Sequence, residues 1–563
     1  MPLFKQDKKP VIKPASFGAE ISSLRPGNVV KTPPCNVGCP SEIDIRGWVT
    51  TIAQAEEYGQ THEEAYESAW RTITDRSPFP AVCGRVCPHP CEDACNRKDK
   101  DSAVAINALE RFVGDFGIER GLSLGRLTEA TYPERVAVVG AGPAGLSCAY
   151  QLARRGYSVT VFEAFSQPGG MLRYGIPAYR LPRDVLDAEI QKIVDLGVEL
   201  RCNTTIGKDI DLAELRQQYQ AIFVGIGAHK GLKLGIPGED APNVLTGTDF
   251  LNRVNRGVPV DVGDHVVVVG GGDTAVDAAR VSRRLGTDAA LVSRRLGASV
   301  TLVYRRTRQE MPAIAPEVEG AIEEGVRIEF LVVPVAVLKT GGKASALRCI
   351  RTQLGEPDAS GRRRPLPIPG TEFDLPASTI IAAVSQEPDL DGLAVLSQEG
   401  NKIQSDQWGA TGLDGVYTGG DDVRIGLAII AISQGRLAAE AIDARFRGRA
   451  PELPAAPPVI TSERVKLGWY PDARRHERVH VPVAGRNMET EIVQGLSEQD
   501  VFDEAKRCMS CGMCMDCGLC WSYCASSCFE KLPKGQHYAI KLGLCNGCQK
   551  CAQECPCGYI DMA

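Results

Sequence analysis

Residues 135–156, RVAVVGAGPAGLSCAYQLARRG, decide the fold. The apolar run 136–139 reads as a buried strand, and the stretch after Gly145 reads as a helix. Between them lies Gly140-x-Gly142-x-Ala144-Gly145. Gly140 makes the tight turn, Gly142 lets the backbone approach a pyrophosphate, and Gly145 lets the helix pack close to the strand. The helix N-terminus, with free N–H groups and a favourable dipole, suits the anion. The next strand, SVTVFEA, ends on Glu163, 23 residues after Gly140, where a carboxylate accepts from a ribose hydroxyl. Strand, turn, helix and acid together predict a dinucleotide site.

The pattern recurs in HVVVVGGGDTAVDAARVSRRLG (265–286), with Gly270, Gly271 and Gly272, then Asp273 and Thr274 opening the helix. Its following strand, ASVTLVYRR (298–306), ends on Arg305 and Arg306 instead of an acid. A carboxylate there would repel a 2′-phosphate, whereas guanidinium groups bind it. This site is expected to take NADPH, with NADH as the alternative, which leaves FAD for the first site. The segment 415–443, GVYTGGDDVRIGLAIIAISQGRLAAEAID, reads as the closing strand, turn and helix of the FAD domain. Gly420 and Asp421 are expected beside the flavin, Asp421 on its ribityl chain. One internal repeat, ARVSRRLG at 279–286 and ALVSRRLG at 290–297, has a period of eleven residues and predicts a duplicated helix extension.

The 563 residues are 43% hydrophobic and 24% charged, an ordinary globular balance for several domains. There is no run of some 18 apolar residues to span a membrane. The N-terminus lacks the apolar core of a secretory signal. With 64 basic and 70 acidic residues the chain is not a nucleic-acid binder by charge. Of 21 cysteines, 18 fall between 35 and 95 or between 508 and 557. A long chain with no signal is expected to be cytoplasmic, with thiols reduced for metal.

The C-terminal group contains Cys514-x2-Cys517-x2-Cys520-x3-Cys524 and Cys545-x2-Cys548-x2-Cys551-x3-Cys555-Pro556. This is the two-cluster bacterial ferredoxin spacing, in which the fourth cysteine of each run serves the other cluster. One [4Fe–4S] cluster is expected on Cys514, Cys517, Cys520 and Cys555, the other on Cys545, Cys548, Cys551 and Cys524. Zinc also accepts four cysteines, but the paired runs argue against it.

The stretches PPCNVGCPSEIDI, FPAVCGRVCPHPCEDAC, VAVVGAGPAGLSCAYQLARRGYSVTVFEA, PGGMLRYGIPAYRLP, VVVVGGGDTAVDAAR, VTLVYRRTRQEMPA and GVYTGGDD together resemble the glutamate synthase small (β) subunit family. The same module is similar to the NADPH-oxidising half of dihydropyrimidine dehydrogenase. The resemblance spans about residues 31–445. It implies an α/β fold: a helical N-terminal iron–sulfur domain, two Rossmann-like domains for FAD and NAD(P)H, and here a C-terminal two-cluster ferredoxin domain. The expected boundaries are 1–30 tail, 31–128 helical iron–sulfur domain, 129–250 with 396–450 FAD domain, 251–395 NADPH domain, 451–500 linker and 501–563 ferredoxin-like domain. The resemblance lays the GGMLRYGIP loop along the flavin, which places Gly169, Gly170, Arg173 and Tyr174 there. Arg173, Tyr174, Gly420 and Asp421 are the residues expected to tune it. Departures from the family are GIG at 225–227 and IGLAII after Asp422.

Related chains begin with a cysteine run of which only the second half, Cys35 and Cys39, occurs here. EAKRCMSCG (504–512) supplies the missing half some 470 residues later. We therefore expect a split cluster on Cys35, Cys95, Cys508 and Cys511; a chain in which Cys508 and Cys511 are spare thiols would hold three clusters instead of four. The dihydropyrimidine dehydrogenase pattern implies a further cluster on Cys39, Cys87, Cys91 and one non-cysteine ligand, which INALERF matches to Glu110; a salt-bridged surface residue is the alternative. Cys83, Cys528 and Cys557 have no assigned role.

A flavin converts between two-electron hydride chemistry and one-electron clusters. The expected function is an NAD(P)H:acceptor oxidoreductase exchanging electrons with a redox partner protein. The ferredoxin extension looks like the iron–sulfur flavoprotein that serves dissimilatory sulfite reductase. The alternative is a glutamate synthase small subunit feeding a glutamine-dependent large subunit. A flavin disulfide reductase would need a Cys-x-x-Cys between residues 96 and 507, where there is none. A homodimer is a further option for the partner.

Overall fold

The computed structural model describes residues 22–285, 298–357, 361–398, 401–453 and 455–563. The repeat at 290–297 lies outside these residues. The chain forms two compact units. One contains residues up to Leu124, Glu452–Val479 and Gly495–Ala563; the other contains Gly125–Pro451 and His480–Gln494. Among the described residues no helix is long and apolar enough to cross a membrane.

The second unit holds two five-stranded parallel sheets. In the first, Arg135–Val139 lies between Ser158–Phe162 and Ala221–Val224, with Glu199–Arg201 and Val416–Thr418 at the edges. The central strands are apolar on both faces because helices cover both, as parallel sheets require. Helix Pro143–Ala153 packs against helix Ala428–Phe446 at a glycine: a Cβ on Gly435 would stand 2.1 Å from the Ala144 carbonyl oxygen. In the second sheet the order is Arg327–Phe330, Ser299–Tyr304, His265–Val269, Thr379–Ala382, Val244–Thr246. Val244–Thr246 pairs in parallel with Thr379–Ala382, so the boundary expected at residue 250 falls before 244. An antiparallel meander of Val332–Thr340, Lys343–Pro357 and Arg363–Pro367, with Phe373–Pro376 also paired to Lys343–Pro357, is inserted into this domain.

Residues 451–500 are not a simple linker, because they are divided between the two units. The stretch 480–494 is pinned to the second sheet's domain by a buried charge cluster. Glu324 accepts from Arg280 at 2.6 Å, Arg284 at 2.9 Å and Arg486 at 3.1 Å. Burial alone would raise its pKa, but the guanidinium groups of Arg280 and Arg284 hold it below the ordinary carboxylate value.

In the first unit, helices Ile45–Ala53, His62–Arg76, Pro80–Val86 and Ile106–Glu119 form the N-terminal core. Thr61 and Glu64 cap the second reciprocally, a capping box. Pro80–Val86 and Ile106–Glu119 cross at two glycines. A Cβ on Gly84 would lie 2.3 Å from Arg111 Cα, and one on Gly114 would lie 2.2 Å from Ala81 N. Within the stretch expected to be a tail, Pro26–Asn28 pairs antiparallel with Ile560–Met562.

Replacing Glu324 by Ala removes the carboxylate shared by three buried guanidinium groups and leaves Arg280 only Glu317 and Arg486 only Glu323. Loss of one partner of a buried pair costs about 3–5 kcal/mol, so Glu324→Ala should lower the thermal unfolding midpoint clearly, and Glu324→Gln by less. Unchanged calorimetric traces for both variants would refute this role for the cluster.

Candidate functional site

The two glycine turns open onto one cavity of about 1380 Å³ within the second unit. Gly140 has φ +98°, and a Cβ there would lie 2.3 Å from the Gly225 carbonyl oxygen. Gly145 does not line the cavity; a Cβ on it would strike the Gly140 oxygen at 1.9 Å, so it serves helix–strand packing. A Cβ on Gly142 would meet nothing nearer than Gly170 Cα at 3.9 Å, and one on Gly272 nothing within 4 Å. Bare backbone facing open space at a helix start is the cradle a pyrophosphate needs, so both turns fit dinucleotides. Gly142, Ala144, Glu163 and Gly170 line one side, and Gly420 and Asp421 close it. Gly270, Gly272, Asp273 and Thr274 line the other side with Tyr304, Arg305 and Arg306.

Several side chains are already engaged. Glu163 accepts from the Ala141 N–H at 2.8 Å and the Phe165 N–H at 2.9 Å, while burial raises its pKa. Asp421 accepts from Gly426 N–H at 3.0 Å and Asp273 from Ile314 N–H at 3.0 Å. Gly420 donates to Gln434 Oε1 at 2.7 Å. Arg306 is buried and its Nε donates to the Arg363 carbonyl at 2.6 Å.

Arg173 and Tyr174 are not among the residues lining the cavity. Arg173 Nε donates to the Pro168 carbonyl at 2.5 Å and its guanidinium pairs with Asp187. The Tyr174 hydroxyl donates to the Gln167 carbonyl at 3.1 Å, and its ring lies 4.4 Å from that of Phe165. Both brace the backbone ahead of Gly169 and Gly170. Gly169 also lies behind the wall, its φ of +124° setting the turn. Two cavity residues escaped sequence reasoning. Arg362, from the inserted meander, joins Arg305 on the wall, and its signal was the run Arg362-Arg363-Arg364. His229 is half-buried, and desolvation lowers its pKa to about 4 and keeps it neutral.

The first unit gathers the cysteines in fours. Cys35, Cys95, Cys508 and Cys511 lie within electrostatic reach of one another although they come from opposite ends of the sequence. Burial pushes the Cys508 thiol up to about 11 and the Cys511 thiol to about 12. Arg46 and Arg97 act in the opposite direction on Cys508, and Arg46 also donates to the Cys511 carbonyl at 2.8 Å. Cys39, Cys87, Cys91 and Glu110 form a second group. Burial and the neighbouring Glu92 raise the Glu110 carboxyl to about 8, unlike a surface salt-bridge partner. Cys514, Cys517, Cys520 and Cys555 form a third group, and Cys524, Cys545, Cys548 and Cys551 a fourth.

Buried thiols raised in this way require a cation before they ionise, which iron supplies. A tetrahedral zinc with bonds of about 2.3 Å would draw its sulfurs to about 3.8 Å apart. Among the described residues, the one trio of ligand atoms mutually within 4.8 Å is Cys514, Asp516 and His537. The cysteine groups are therefore more open than a single ion demands. Cys528 lies 3.1 Å from Cys524 and Cys557 lies 3.8 Å from Cys555, sulfur to sulfur. The Cys83 carbonyl accepts from Asn107 at 3.0 Å. Tyr470, which the sequence did not single out, is buried with Cys508 and Cys511 on one hand and Cys517 and Cys557 on the other.

The pyridine nucleotide-disulphide oxidoreductase model matches residues 134–435, and the model of dihydropyrimidine dehydrogenase domain II, 4Fe-4S cluster, matches residues 28–122. The NADPH-Fe(3+) oxidoreductase subunit beta of Geobacter sulfurreducens is 38% identical over 544 residues, 88% of this chain and 78% of that protein. The NADP(+)-dependent formate dehydrogenase subunit beta of Moorella thermoacetica is 38% identical over 541 residues, 88% and 73% of the two chains. The glutamate synthase [NADPH] small chain of Escherichia coli K12 is 35% identical over 434 residues, 73% of this chain and 88% of that one. Mycobacterium tuberculosis FprA in complex with NADPH shares the fold at 20% identity, with a TM-score of 0.50 over 57% of this chain and 88% of that one. A flavoprotein reductase core preceded by a 4Fe-4S domain, in a chain this close to those relatives, belongs to the pyridine nucleotide-disulphide oxidoreductase family beside the glutamate synthase small chain, and is an FAD- and iron–sulfur-dependent NADPH oxidoreductase.

Proposed function

We propose that this chain is the NADPH-oxidising subunit of a redox complex, with four [4Fe–4S] sites in series leading to or from a partner protein. One observation carries this: the four ligand groups are linked by very short stretches of chain. Cys35 and Cys39 flank one turn of helix, as do Cys91 and Cys95. Cys511 and Cys514 are three residues apart, and Cys520–Cys524 and Cys551–Cys555 are each four apart. At most about 15 Å of chain separates such ligands. The order is therefore Cys39/Cys87/Cys91/Glu110, then Cys35/Cys95/Cys508/Cys511, then Cys514/Cys517/Cys520/Cys555, then Cys524/Cys545/Cys548/Cys551.

Bound to these residues, FAD supplies hydride acceptance with one-electron release, and the clusters carry single electrons. The chain's own part is binding and positioning. The helix starting at Pro143 and Glu163 hold FAD, with the Gly169–Gly170 loop braced by Arg173 and Tyr174 and Asp421 fixing the closing turn. The helix starting at Asp273 holds the NADPH pyrophosphate. Arg305, Arg306 and Arg362 on the cavity wall supply the positive charge for the 2′-phosphate. Glu110 gives its site a harder ligand than thiolate, a lever on potential.

The alternative, a glutamate synthase small subunit, rests on a match covering 73% of this chain, against 88% for the Geobacter relative. Nothing in the comparisons points to dissimilatory sulfite reductase, and the partner is proposed as a redox protein of unspecified identity.

Anaerobically reconstituted protein should contain about 16 irons per FAD. Cys508→Ala with Cys511→Ala should drop this to about 12; a wild-type value of 12 would remove the split site while sparing the NADPH function. Arg305→Ala and Arg362→Ala should each raise KM for NADPH by about tenfold or more, the loss of a charge-assisted hydrogen bond, with the NADH reaction unmoved. Equal effects on both nucleotides would overturn the phosphate assignment.

A further inference from the structure

We propose that the outer face of residues 519–551 is a docking surface for an acidic redox protein. This rests on the electron-input function proposed above and adds where the partner binds and what its surface carries. Cys524, Cys545, Cys548 and Cys551 form the end of the series of ligand groups, so an electron exchanged through the series enters or leaves beside them.

That end is the apolar part of the segment's surface. Tyr523 and Leu532 are 36% and 39% exposed, and Leu542 and Leu544 are 48% and 54% exposed. All four lie within residues 523–544. Tyr523 precedes Cys524, and Lys550 lies 5.9 Å over its ring. Leu532 N–H bonds His537 across the hairpin of Phe529–Lys531 and Tyr538–Ile540. Leu542–Leu544 forms the turn entering Cys545, and Lys541 N–H bonds the Cys528 carbonyl. Apolar side chains left in water around a redox site mark a surface that a partner covers.

Charge selects the partner. Residues 503–563 contain six acidic and six basic side chains, a balance that hides a segregation. Four of the six acids are engaged by other groups: Glu504 pairs with Arg507, Asp561 with Lys31, Glu554 with Lys466 and Lys550, and Asp516 accepts from Tyr58 and His537. Residues 519–551 carry Lys531, Lys534, Lys541 and Lys550 against the single carboxylate Glu530, an excess of three positive charges, with Lys541 paired to Glu530 at 2.8 Å and Lys550 to Glu554 at 2.9 Å. An apolar centre rimmed by lysines fits a protein that presents acids around its own one-electron centre. A second copy of this chain would set lysines against lysines across a two-fold contact.

The test uses the reconstituted full-length holoprotein and, as probe, an acidic two-[4Fe–4S] ferredoxin, with binding measured by calorimetry at low and high salt. Binding is expected, weakening about tenfold or more as salt rises. Lys531→Glu with Lys541→Glu should weaken low-salt binding by at least about tenfold. Leu542→Ser with Leu544→Ser should weaken it while keeping the salt dependence. The two variants disrupt the face independently, so loss of iron from one leaves the other as the test. No binding by wild type, binding by both variants equal to wild type, or self-association through this face would overturn the proposal. NADPH-driven ferricyanide reduction, in which one NADPH yields NADP⁺ and a proton and reduces two ferricyanides, is measured alongside. Its absence in wild type with full iron and FAD would instead overturn the electron-input function.

Discussion

Thiols from opposite ends of a long chain can share a site only if something other than the metal holds the ends together. Arg507 supplies that hold. Buried beside Cys508, it pairs with Glu504 at 2.6 Å and Asp101 at 3.1 Å, and donates to the Ser102 and Ala103 carbonyls. Arg97 binds the same Asp101 at 2.7 Å and donates to the Arg507 carbonyl. Glu504 in turn accepts from the Ala105 N–H at 2.7 Å. Every charge in this buried network is paired, the condition under which such groups are tolerated at all. The network fixes Cys508 and Cys511 against Cys95, and helix Pro34–Gly38 then brings both Cys35 and Cys39 to adjoining groups. The strand pair of Pro26–Asn28 with Ile560–Met562 and the Lys31–Asp561 ion pair repeat the same clasp one layer away.

The flavoprotein unit solves a different problem, which is to bring two nucleotides into one cavity without confusing them. Backbone shape is identical in kind at both turns, and what differs between the two sides of the cavity is the charge of the side chains on its wall. Glu163, held by two backbone N–H groups, puts a carboxylate on the cavity wall. Arg305 and Arg362 offer positive charge where Glu163 offers negative. The braces that set these positions, Arg173 and Tyr174 on one loop and Glu324 under the other domain, touch nothing in the cavity.

Features governed by local spacing were legible in the sequence. The two glycine turns, the closing strand 416–418 and the ferredoxin cysteine runs each depend on neighbours a few residues away. Cys508 and Cys511 were legible because a familiar run had visibly been cut in two. What was not legible depends on partners far along the chain. Val244–Thr246 joins the second sheet only because Thr379–Ala382 lies free beside it. Arg173 and Tyr174 sit in a loop whose motif implies flavin contact, yet carbonyls five and seven residues back capture their side chains. Arg362 and Tyr470 reach their sites from an inserted meander and a proline-rich stretch that carry no motif. The lysine-rich outer face disappears in the net charge of its own domain.

The clasp between the chain's ends has a consequence for synthesis. The parallel sheet around Gly140 is complete once Val416–Thr418 has been made, and the second sheet once Thr379–Ala382 has been made. The N-terminal helices are made first but complete their groups last. Cys35 and Cys95 wait for Cys508 and Cys511, and Pro26–Asn28 waits for Ile560–Met562. Domains that fold as they emerge usually do so from the N-terminus; here the order is inverted. Cys35 and Cys95 can meet Cys508 and Cys511 only after about four hundred further residues have left the ribosome, so this group of thiols is completed late in synthesis.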